Sequence, residues 1–274
     1  MIWSQPSLFG LVKKMKIALF TGTAFRHKYF ANTILKNYRV DLHIRMKRGK
    51  RIIDETKFPS GPGQQLLKIH SEKQLEKERE YFLPEAKKFL EAKQVIESDD
   101  PNIPEIITAV KRNKPDIVLV YGTKLLKKNL LDVMPRNTIN LHAGLSPYYK
   151  GAATLYWPIY FMEPQYVGFT FHLIDKKIDH GDIIHQNRPK IYPEDEIHDL
   201  GCRTIIVASK DILKILKKKK IEHYKQKQKG KIFYSWDFKP YHLRVTNYLM
   251  KNGLLKEYLI NKSYFPEPKI ISQV

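Results

Sequence analysis

Two short apolar runs that each end at a glycine constrain the fold more than any other feature. KIALFTG occupies residues 16–22 and DIVLVYG occupies residues 116–122. Runs of this length that end at a turn residue are typical of buried strands. A segment with helical spacing follows each of them. This order indicates βαβ units, so we predict an α/β fold with a Rossmann-like, mostly parallel twisted sheet flanked by helices.

The other elements are predicted from the same spacing rules. Helices are predicted over residues 27–38, 71–96, 101–114, 125–134, 197–216 and 242–259. Strands are predicted at residues 40–45, 138–142, 167–174 and 182–186, with a short strand or turn at 232–238 and a loop at 50–64. We divide the chain into an N-terminal extension, a catalytic domain and a small C-terminal α/β extension, at residues 1–14, 15–225 and 226–274.

Composition excludes several classes of protein. No apolar run reaches the roughly 18 residues that a membrane helix needs, so a transmembrane protein is excluded. Cys202 is the single cysteine of the 274 residues, which excludes an intramolecular disulfide framework and favours a reducing, cytoplasmic location. Residues 1–14 lack the features of a signal peptide, and an upstream start or a disordered extension would explain them.

The charge is strongly positive, with 49 Lys and Arg against 28 Asp and Glu, a formal net charge of +21. Two interpretations remain open: a lysine-rich solvated surface, or a surface field that gathers anions such as nucleic acid or phosphosugars. The densest tract, residues 214–231, follows an apolar helical pattern and is explained most simply as a solvated helix end. Tyr224 is the only aromatic in it, which disfavours a nucleic-acid-binding module.

The first βα turn lacks a dinucleotide fingerprint. Only Gly22 is present where G-x-G-x-x-G needs three glycines, and the chain has no P-loop motif. Arg26 and His27 stand where a helix N-terminus meets a ligand, so they are candidates for holding an anion. A surface arginine and a capping histidine explain these two residues equally well.

Asn140 and His142 lie two apart at the end of a predicted buried strand, so their side chains point the same way. Ligands of open α/β sheets bind at the carboxyl ends of strands. Asp179 follows another predicted strand. An amide and an imidazolium stabilise an oxyanion, while a carboxylate raises a histidine pKa and relays protons. The alternatives are turn-forming or core residues, and a metal site, which the absence of a local zinc pair disfavours. That metal site would draw on His142, His172, His180, His185 and Asp179.

A series of short motifs resembles the folate-dependent formyltransferases, which include glycinamide ribonucleotide, methionyl-tRNA and sugar N-formyltransferases. The series is Asn140-x-His142, Leu145-x-Pro147, Gly151, Gly168-x-Thr170 and Asp179-x-Gly181-Asp182-Ile183-x-x-Gln186. The resemblance implies that Asn140, His142 and Asp179 are catalytic, that N10-formyltetrahydrofolate is the formyl donor, and that no metal takes part. It also implies a pterin pocket formed by Tyr121, Gly122, Thr123, Lys124, Leu125, Leu126, Asp175 and Ile178. One departure is Gly144, where the family often has a serine.

The acceptor amine is inferred from length and from the tail. A glycinamide ribonucleotide enzyme would be shorter, and residues 229–274 are too few for the C-terminal barrel of the tRNA enzymes. We therefore predict an amino-sugar N-formyltransferase of surface-glycan biosynthesis, acting on a nucleotide-linked or acidic nonulosonic sugar. The predicted partners exclude membranes and disfavour nucleic acid, and a monomer and a homodimer both remain open. A methionyl-tRNA formyltransferase-like enzyme is the alternative. Substrate binding is predicted at Arg26, His27, Tyr148, Tyr149 and Lys150.

Overall fold

A seven-stranded sheet lies at the centre of the protein, as seen in a computed structural model that describes residues 15–47, 59–83, 85–227 and 230–274. The predicted extension at residues 1–14 and most of the predicted loop at 50–64 lie outside the described residues. The strands, in chain order, are β1 Ile17–Thr21, β2 Val40–Met46, β3 Val95–Ser98, β4 Ile117–Tyr121, β5 Thr138–His142, β6 Tyr149–Gly151, β7 Phe169–Leu173, β8 Ile183–Asn187 and β9 Lys231–Phe233.

The sheet order is β3-β2-β1-β4-β5-β7-β8. The strands from β3 to β5 in this order are parallel, while β7 and β8 run antiparallel to their neighbours. The predicted mostly parallel α/β fold is therefore confirmed. Strands β6 and β9 form a separate parallel pair, which joins the segment after β5 to the C-terminal part of the chain.

The helices are α1 Phe25–Asn37, α2 Pro62–Phe82, α3 Pro104–Asn113, α4 Lys128–Leu131, α5 Trp157–Tyr160, α6 Ile197–Leu216, α7 Pro240–Lys251 and α8 Leu254–Ile260. The bounds of α6 match the prediction, since its apolar face is continuous over five turns and packs on α1 and α2. None of the helices in the described ranges is both long and apolar enough to cross a bilayer.

The helix predicted over residues 71–96 was wrong at both ends. Helix α2 begins at Pro62, because proline suits the first turn of a helix, and it buries Leu67, His70 and Phe82. It ends at Phe82 because the next residue, Leu83, precedes a proline and is extended, with ψ 146°. Residues 95–98 then form β3, since pairing with β2 outweighs their local helical preference.

The helix predicted over residues 242–259 is divided into α7 and α8. Gly253 stands between them with φ 86°, a left-handed conformation that side chains rarely adopt. The division turns Leu254 and Leu255 inward, where both are buried.

The C-terminal part of the chain packs on the main domain through a shared apolar core. This core joins Trp157 and Ile197 to Phe233, Leu243 and Leu255. Two other cores lie on the two faces of the sheet, against α1 and α6 on one side and α3 on the other. The boundary near residue 225 stays a prediction, and the residues on its two sides share this buried core.

The last residues of the chain cover the open edge of the sheet. The Gln186 amide of edge strand β8 donates a hydrogen bond of 2.6 Å to the carbonyl of Ile271, and the Gln273 amide donates to His185 Nδ1 at 3.1 Å. Covering an edge strand in this way blocks unwanted pairing with other chains.

Candidate active site

Strand β5 carries Asn140 and His142 to the carboxyl edge of the sheet. Because β5 pairs antiparallel with β7, Asn140 lies opposite His172 and His142 lies opposite Thr170. His142 is buried and Asn140 is half-buried. The alternation of a strand places both side chains on one face, as the sequence predicted.

Asp179 reaches the same place from the loop between β7 and β8. Its Oδ2 lies 3.3 Å from His142 Nδ1 and accepts a 2.8 Å hydrogen bond from the Gly151 amide. Its backbone is left-handed, with φ 45°. Gln226 Nε2 donates hydrogen bonds to the carbonyls of Asp179 and Gly181 at 2.9 and 2.8 Å. These bonds hold Asp179 in its unfavourable backbone conformation. The structure therefore brings the three predicted catalytic residues together, and their roles stay predictions.

His172 links Asn140 to Asp179, a contact that the sequence analysis missed. Its Nε2 lies 3.1 Å from Asn140 Nδ2 and 3.2 Å from Asp179 Oδ1. Its Nδ1 lies 2.8 Å from the carbonyl of Leu173, which only accepts, so Nδ1 carries a proton. Nε2 then accepts from the Asn140 amide when neutral and donates to Asp179 when protonated. A correct prediction of the register between β5 and β7 would have placed His172 opposite Asn140.

Two opposing effects set the pKa values of the central pair. Burial by itself would raise the pKa of Asp179, but His142, His172 and the Gly151 amide favour its charged form, and the pKa lies well below its ordinary value. Burial lowers the pKa of His142, although Asp179 and the Tyr149 carbonyl oppose this shift. The resting pair is therefore a carboxylate beside a neutral imidazole.

Both ring nitrogens of His142 face hydrogen-bond acceptors. Nε2 lies 2.9 Å from the Tyr149 carbonyl oxygen, so the neutral ring carries its proton there. Nδ1 then presents its lone pair beside Asp179. A second proton on Nδ1 would be held by the carboxylate, while Nε2–H stays bound to the carbonyl. This arrangement suits a group that receives a proton and is stabilised as it does so.

Thr154 fills the space beside His142 that Gly144 leaves empty. A Cβ at residue 144 would lie 2.6 Å from His142 Nε2 and 2.7 Å from Thr154 Cβ. Thr154 Oγ1 donates a 2.6 Å hydrogen bond to the carbonyl of Ala143. Thr154 therefore places a hydroxyl beside Gly144, where the family often has a serine. Sequence spacing could not reveal this contact.

The residues predicted to bind the pterin differ in their exposure to solvent. Tyr121 and Leu126 are buried, Gly122 and Thr123 are half-buried, and Lys124, Leu125, Asp175 and Ile178 are exposed. A cleft of about 400 Å³ is lined by Asp175 and by none of the other seven residues predicted to bind the pterin. The other residues lining it are Leu131, Met134, Pro135, Arg136, Thr138, Leu173, Ile174, Gly181 and Asp182. Thr138 is the first residue of β5, so this cleft lies towards the amino end of β5, whereas His142 is the last residue of that strand.

The residues predicted to bind the acceptor differ in their surroundings. Arg26 forms an ion pair with Glu78 of α2, and the His27 ring packs edge-on against Tyr121 at 4.6 Å between centroids. The Tyr148 hydroxyl donates to the Lys269 carbonyl at 3.2 Å. The hydroxyl of Tyr149 donates to the Glu163 carboxylate, and Lys150 is buried. All five binding roles stay predictions.

Of the histidines of the metal alternative, His142 and His172 contact Asp179, whereas His180 and His185 contact other carboxylates. His180 Nδ1 lies 2.9 Å from Asp175, and His185 Nε2 lies 3.1 Å from the buried Asp211. Among the residues that the structure describes, no three His, Cys, Asp or Glu side chains are grouped so as to hold a metal ion.

Comparison with known proteins connects this geometry to a family. A family model described as formyl transferase matches residues 46–216, more than half of the chain. The methionyl-tRNA formyltransferase of Geotalea daltonii is 32% identical over 108 residues, which are 39% of this chain and 34% of that protein. The chain thus spans about a third of the length of this curated relative.

Two solved structures share the architecture. The N-formyltransferase from Helicobacter canadensis, in complex with folinic acid and dTDP-3-aminofucose, aligns with a TM-score of 0.54 and 20% identity, covering 86% of this chain and 80% of that chain. Glycinamide ribonucleotide transformylase 1 from Symbiobacterium toebii aligns with a TM-score of 0.52 and 15% identity, covering 77% and 90%. At these identities the likeness shows a shared fold.

Proposed function

This chain belongs to the formyl transferase family, and from that premise we propose that it transfers a formyl group from N10-formyltetrahydrofolate to the amine of an amino sugar. The membership predicted from the motif series is confirmed. The single observation that carries the proposal is the convergence of Asn140, His142 and Asp179 at the carboxyl end of β5.

The proposed formyl transfer follows from the positions of the Asn140, His142 and Asp179 side chains. When bound, the donor supplies a formyl carbonyl on nitrogen, whose oxygen gains negative charge as the acceptor amine attacks the carbon. Asn140 Nδ2 is the donor for that oxygen, and one such hydrogen bond is worth roughly 3 kcal/mol. His142 receives the amine proton at Nδ1, where Asp179 stabilises the imidazolium, and returns it to the donor nitrogen as the bond between that nitrogen and the formyl carbon breaks. His172 holds both Asn140 and Asp179 in place.

The donor would lie beside the catalytic residues, at the carboxyl end of the strands. The segment at residues 121–126 and the loop at 175–178 would hold the pterin, as the resemblance implies. These residues bind and orient the donor so that its formyl carbon faces the three catalytic side chains.

An amino sugar is supported as acceptor by solved N-formyltransferase structures that share this fold. The solved N-formyltransferase from Helicobacter canadensis, which shares this fold, contains a nucleotide-linked amino sugar. We therefore propose a role in the assembly of surface glycans.

A second acceptor, the aminoacyl group of initiator tRNA, is favoured by one specific observation. The curated relatives that match in sequence are methionyl-tRNA formyltransferases, over about a third of their length. The net charge of +21 also suits a polyanionic substrate. This second proposal predicts formylmethionyl-tRNA as the product.

The test is a panel of acceptors incubated with N10-formyltetrahydrofolate and read by mass spectrometry for the addition of one CO unit. The panel contains nucleotide-linked amino hexoses, amino nonulosonic acids and charged initiator tRNA. We expect an amino sugar to be formylated and tRNA to be unchanged. His142→Ala should abolish most of the turnover with an unchanged circular dichroism spectrum. Near-normal transfer by this variant would refute the assignment of the site.

A further inference from the structure

The β5–β6 loop, residues 143–148, joins the two ends of one hydrogen bond in the proposed active site. It begins after His142, the last residue of β5, and ends before Tyr149, the first residue of β6. The Tyr149 carbonyl oxygen lies 2.9 Å from His142 Nε2. The position of this oxygen, and hence its contact with the imidazole, depends on how the β5–β6 loop is held.

Two buried side chains of the neighbouring strands hold the β5–β6 loop. Thr170 of β7 lies opposite His142 in the sheet, and its Oγ1 donates a 2.7 Å hydrogen bond to the Gly144 carbonyl. The same hydroxyl accepts a 2.9 Å hydrogen bond from the Ser146 amide. Gln186 of β8 donates through Nε2 to the Ser146 carbonyl at 2.5 Å and to Thr170 Oγ1 at 3.0 Å. Three backbone groups of the loop are therefore bound to two side chains of the sheet.

The side-chain amide of Gln186 satisfies its partners in one orientation. Its Oε1 accepts a 3.1 Å hydrogen bond from the Ile271 amide, while its Nε2 makes the two donations to Ser146 and Thr170. The opposite orientation would place Nε2 against the Ile271 N–H and Oε1 against the Ser146 carbonyl oxygen. Gln186 is 1% exposed and Thr170 is 0% exposed, so the loss of either donor would leave a buried loop carbonyl without a partner.

We propose that Gln186 and Thr170 are positioning residues, which act on His142 through the β5–β6 loop. They keep the Tyr149 carbonyl in place as one of the two acceptors that face the imidazole. This inference rests on the proposed function and adds two residues to the machinery of formyl transfer. Both residues belong to the motif series of the sequence, and the structure supplies a physical reason for their side chains.

An imidazole that takes up a proton is stabilised by an acceptor at each of its nitrogens. Asp179 faces Nδ1 of His142 and the Tyr149 carbonyl faces Nε2, and both raise the pKa of the ring against the effect of burial. The charges of His172 and Lys150 act on the same ring and lower its pKa. If the carbonyl withdraws with the loop, the imidazolium loses one acceptor, and the pKa of His142 falls further.

Two substitutions remove the donors and keep the approximate shapes of the side chains, Gln186→Met and Thr170→Val. In each variant kcat should fall about 10-fold to 100-fold, because displacing a reacting group by about 1 Å costs rate on this scale. KM for the donor and for the acceptor should be unchanged, since both side chains are buried. Thr170→Ser keeps the hydroxyl and should recover most of the lost kcat.

Asn187→Ala on β8 is the matched control for a loss of stability alone. Asn187 Nδ2 donates a 2.8 Å hydrogen bond to Asp211 of α6. This variant should melt at a lower temperature with its kcat unchanged. The pKa of His142 is followed by NMR titration of its ring signals, which the His142→Gln variant identifies. It should fall in Gln186→Met and Thr170→Val, and it should be retained in Asn187→Ala.

Each outcome decides the inference. If Gln186→Met is less stable but keeps its kcat and the His142 pKa, as the control does, the inference is overturned. A raised KM with an unchanged kcat would also overturn it, because the loop would then bind a substrate. If Gln186→Met does not fold, Thr170→Val and Thr170→Ser decide by the same measurements.

The NMR titration separates this inference from the proposed function. If the wild-type protein formylates no amino sugar, the proposed acceptor is wrong, and the titration still tests the loop. A fall of the His142 pKa in Gln186→Met and Thr170→Val would then support the positioning role, and an unchanged pKa in both would refute it. If amino sugars are formylated and neither kcat nor this pKa responds to the two substitutions, the activity stands and the positioning role is refuted.

Discussion

Two polar clusters lie at the carboxyl edge of the sheet, and they use their charges differently. The α1 cluster consists of Arg26, His27, Glu78 and Tyr121. The catalytic cluster consists of Asn140, His142, His172 and Asp179. In the α1 cluster the guanidinium and the carboxylate neutralise each other. In the catalytic cluster one carboxylate, that of Asp179, faces the imidazoles of His142 and His172.

The difference indicates how a structural polar network is distinguished from a reactive one. A network that stabilises the fold satisfies its own donors and acceptors, because an unmatched buried group costs free energy. A reactive network leaves groups whose partner arrives with the substrate. By this criterion the α1 cluster holds α2 against α1, and we propose that the catalytic cluster is where the chemistry occurs.

The largest effect is expected for Asp179→Asn. The amide cannot stabilise a charged His142, so kcat should fall about 1,000-fold, roughly 4 kcal/mol of barrier. Steady-state formyl transfer with the best acceptor of the panel measures it. The melting temperature should change little, since the Gly151 amide can still donate to the remaining carbonyl oxygen. A loss below 10-fold would show that the carboxylate is dispensable.

The same comparison explains what the sequence could and could not predict. The catalytic cluster was predictable because Asn140 and His142 are adjacent on one strand and Asp179 lies in a recognisable turn. The α1 cluster was not, because Glu78, the partner of Arg26, lies 52 residues further along the chain. A long-range ion pair has no local signal in the sequence.

Other contacts escaped prediction for the same reason. Strand β6 has three residues, and its partner β9 is 80 residues away. Gln226 contacts Asp179 across 47 residues. Thr154 lies next to Gly144 only because the chain folds back there. Periodicity predicted the sheet and α6, whereas the packing of loops on the site depends on tertiary contacts that no local pattern encodes.

The α1 cluster is tested by Glu78→Gln. Removing the carboxylate leaves Arg26 without a counter-ion in a largely buried position, so the free energy of unfolding should fall by roughly 3 kcal/mol. Urea denaturation measures it. Glu80→Gln, an exposed neighbour on α2, is the control and should change stability by less than about 0.5 kcal/mol. If Glu78→Gln instead alters KM for the acceptor at full stability, Arg26 belongs to the binding site.

A smaller effect is expected at the junction of Gly144 and Thr154. Gly144→Ala places a methyl group 2.6 Å from His142 Nε2 and should displace the ring, lowering kcat about 10-fold to 30-fold, roughly 2 kcal/mol. Thr154→Gly removes the two Thr154 atoms that this methyl group would meet, Cβ and Oγ1. The double variant should recover a large part of the lost kcat. Additive losses would show that the two positions do not compete for space.

The smallest effect concerns buried histidines beside the α1 cluster. Burial lowers the pKa of His70 to about 3 and that of His198 to about 4, and their rings lie 4.5 Å apart. Both folded pKa values lie below the unfolded value near 6.5, so the unfolded chain binds more protons between these limits. The contribution of these two rings to the free energy of unfolding is therefore fully present above pH 6.5 and is lost as the pH falls towards 4.

His70→Gln should reduce this loss of stability on acidification. Between pH 7 and pH 5 the wild-type free energy of unfolding should fall by about 1 to 2 kcal/mol more than that of the variant, the linkage expected for one histidine over this interval. Urea denaturation at each pH measures the difference. His180→Gln, at an exposed ring, should retain the wild-type slope. If both variants lose stability in parallel with wild type, the pH dependence arises at other buried histidines, such as His27 and His43, whose pKa values burial also lowers.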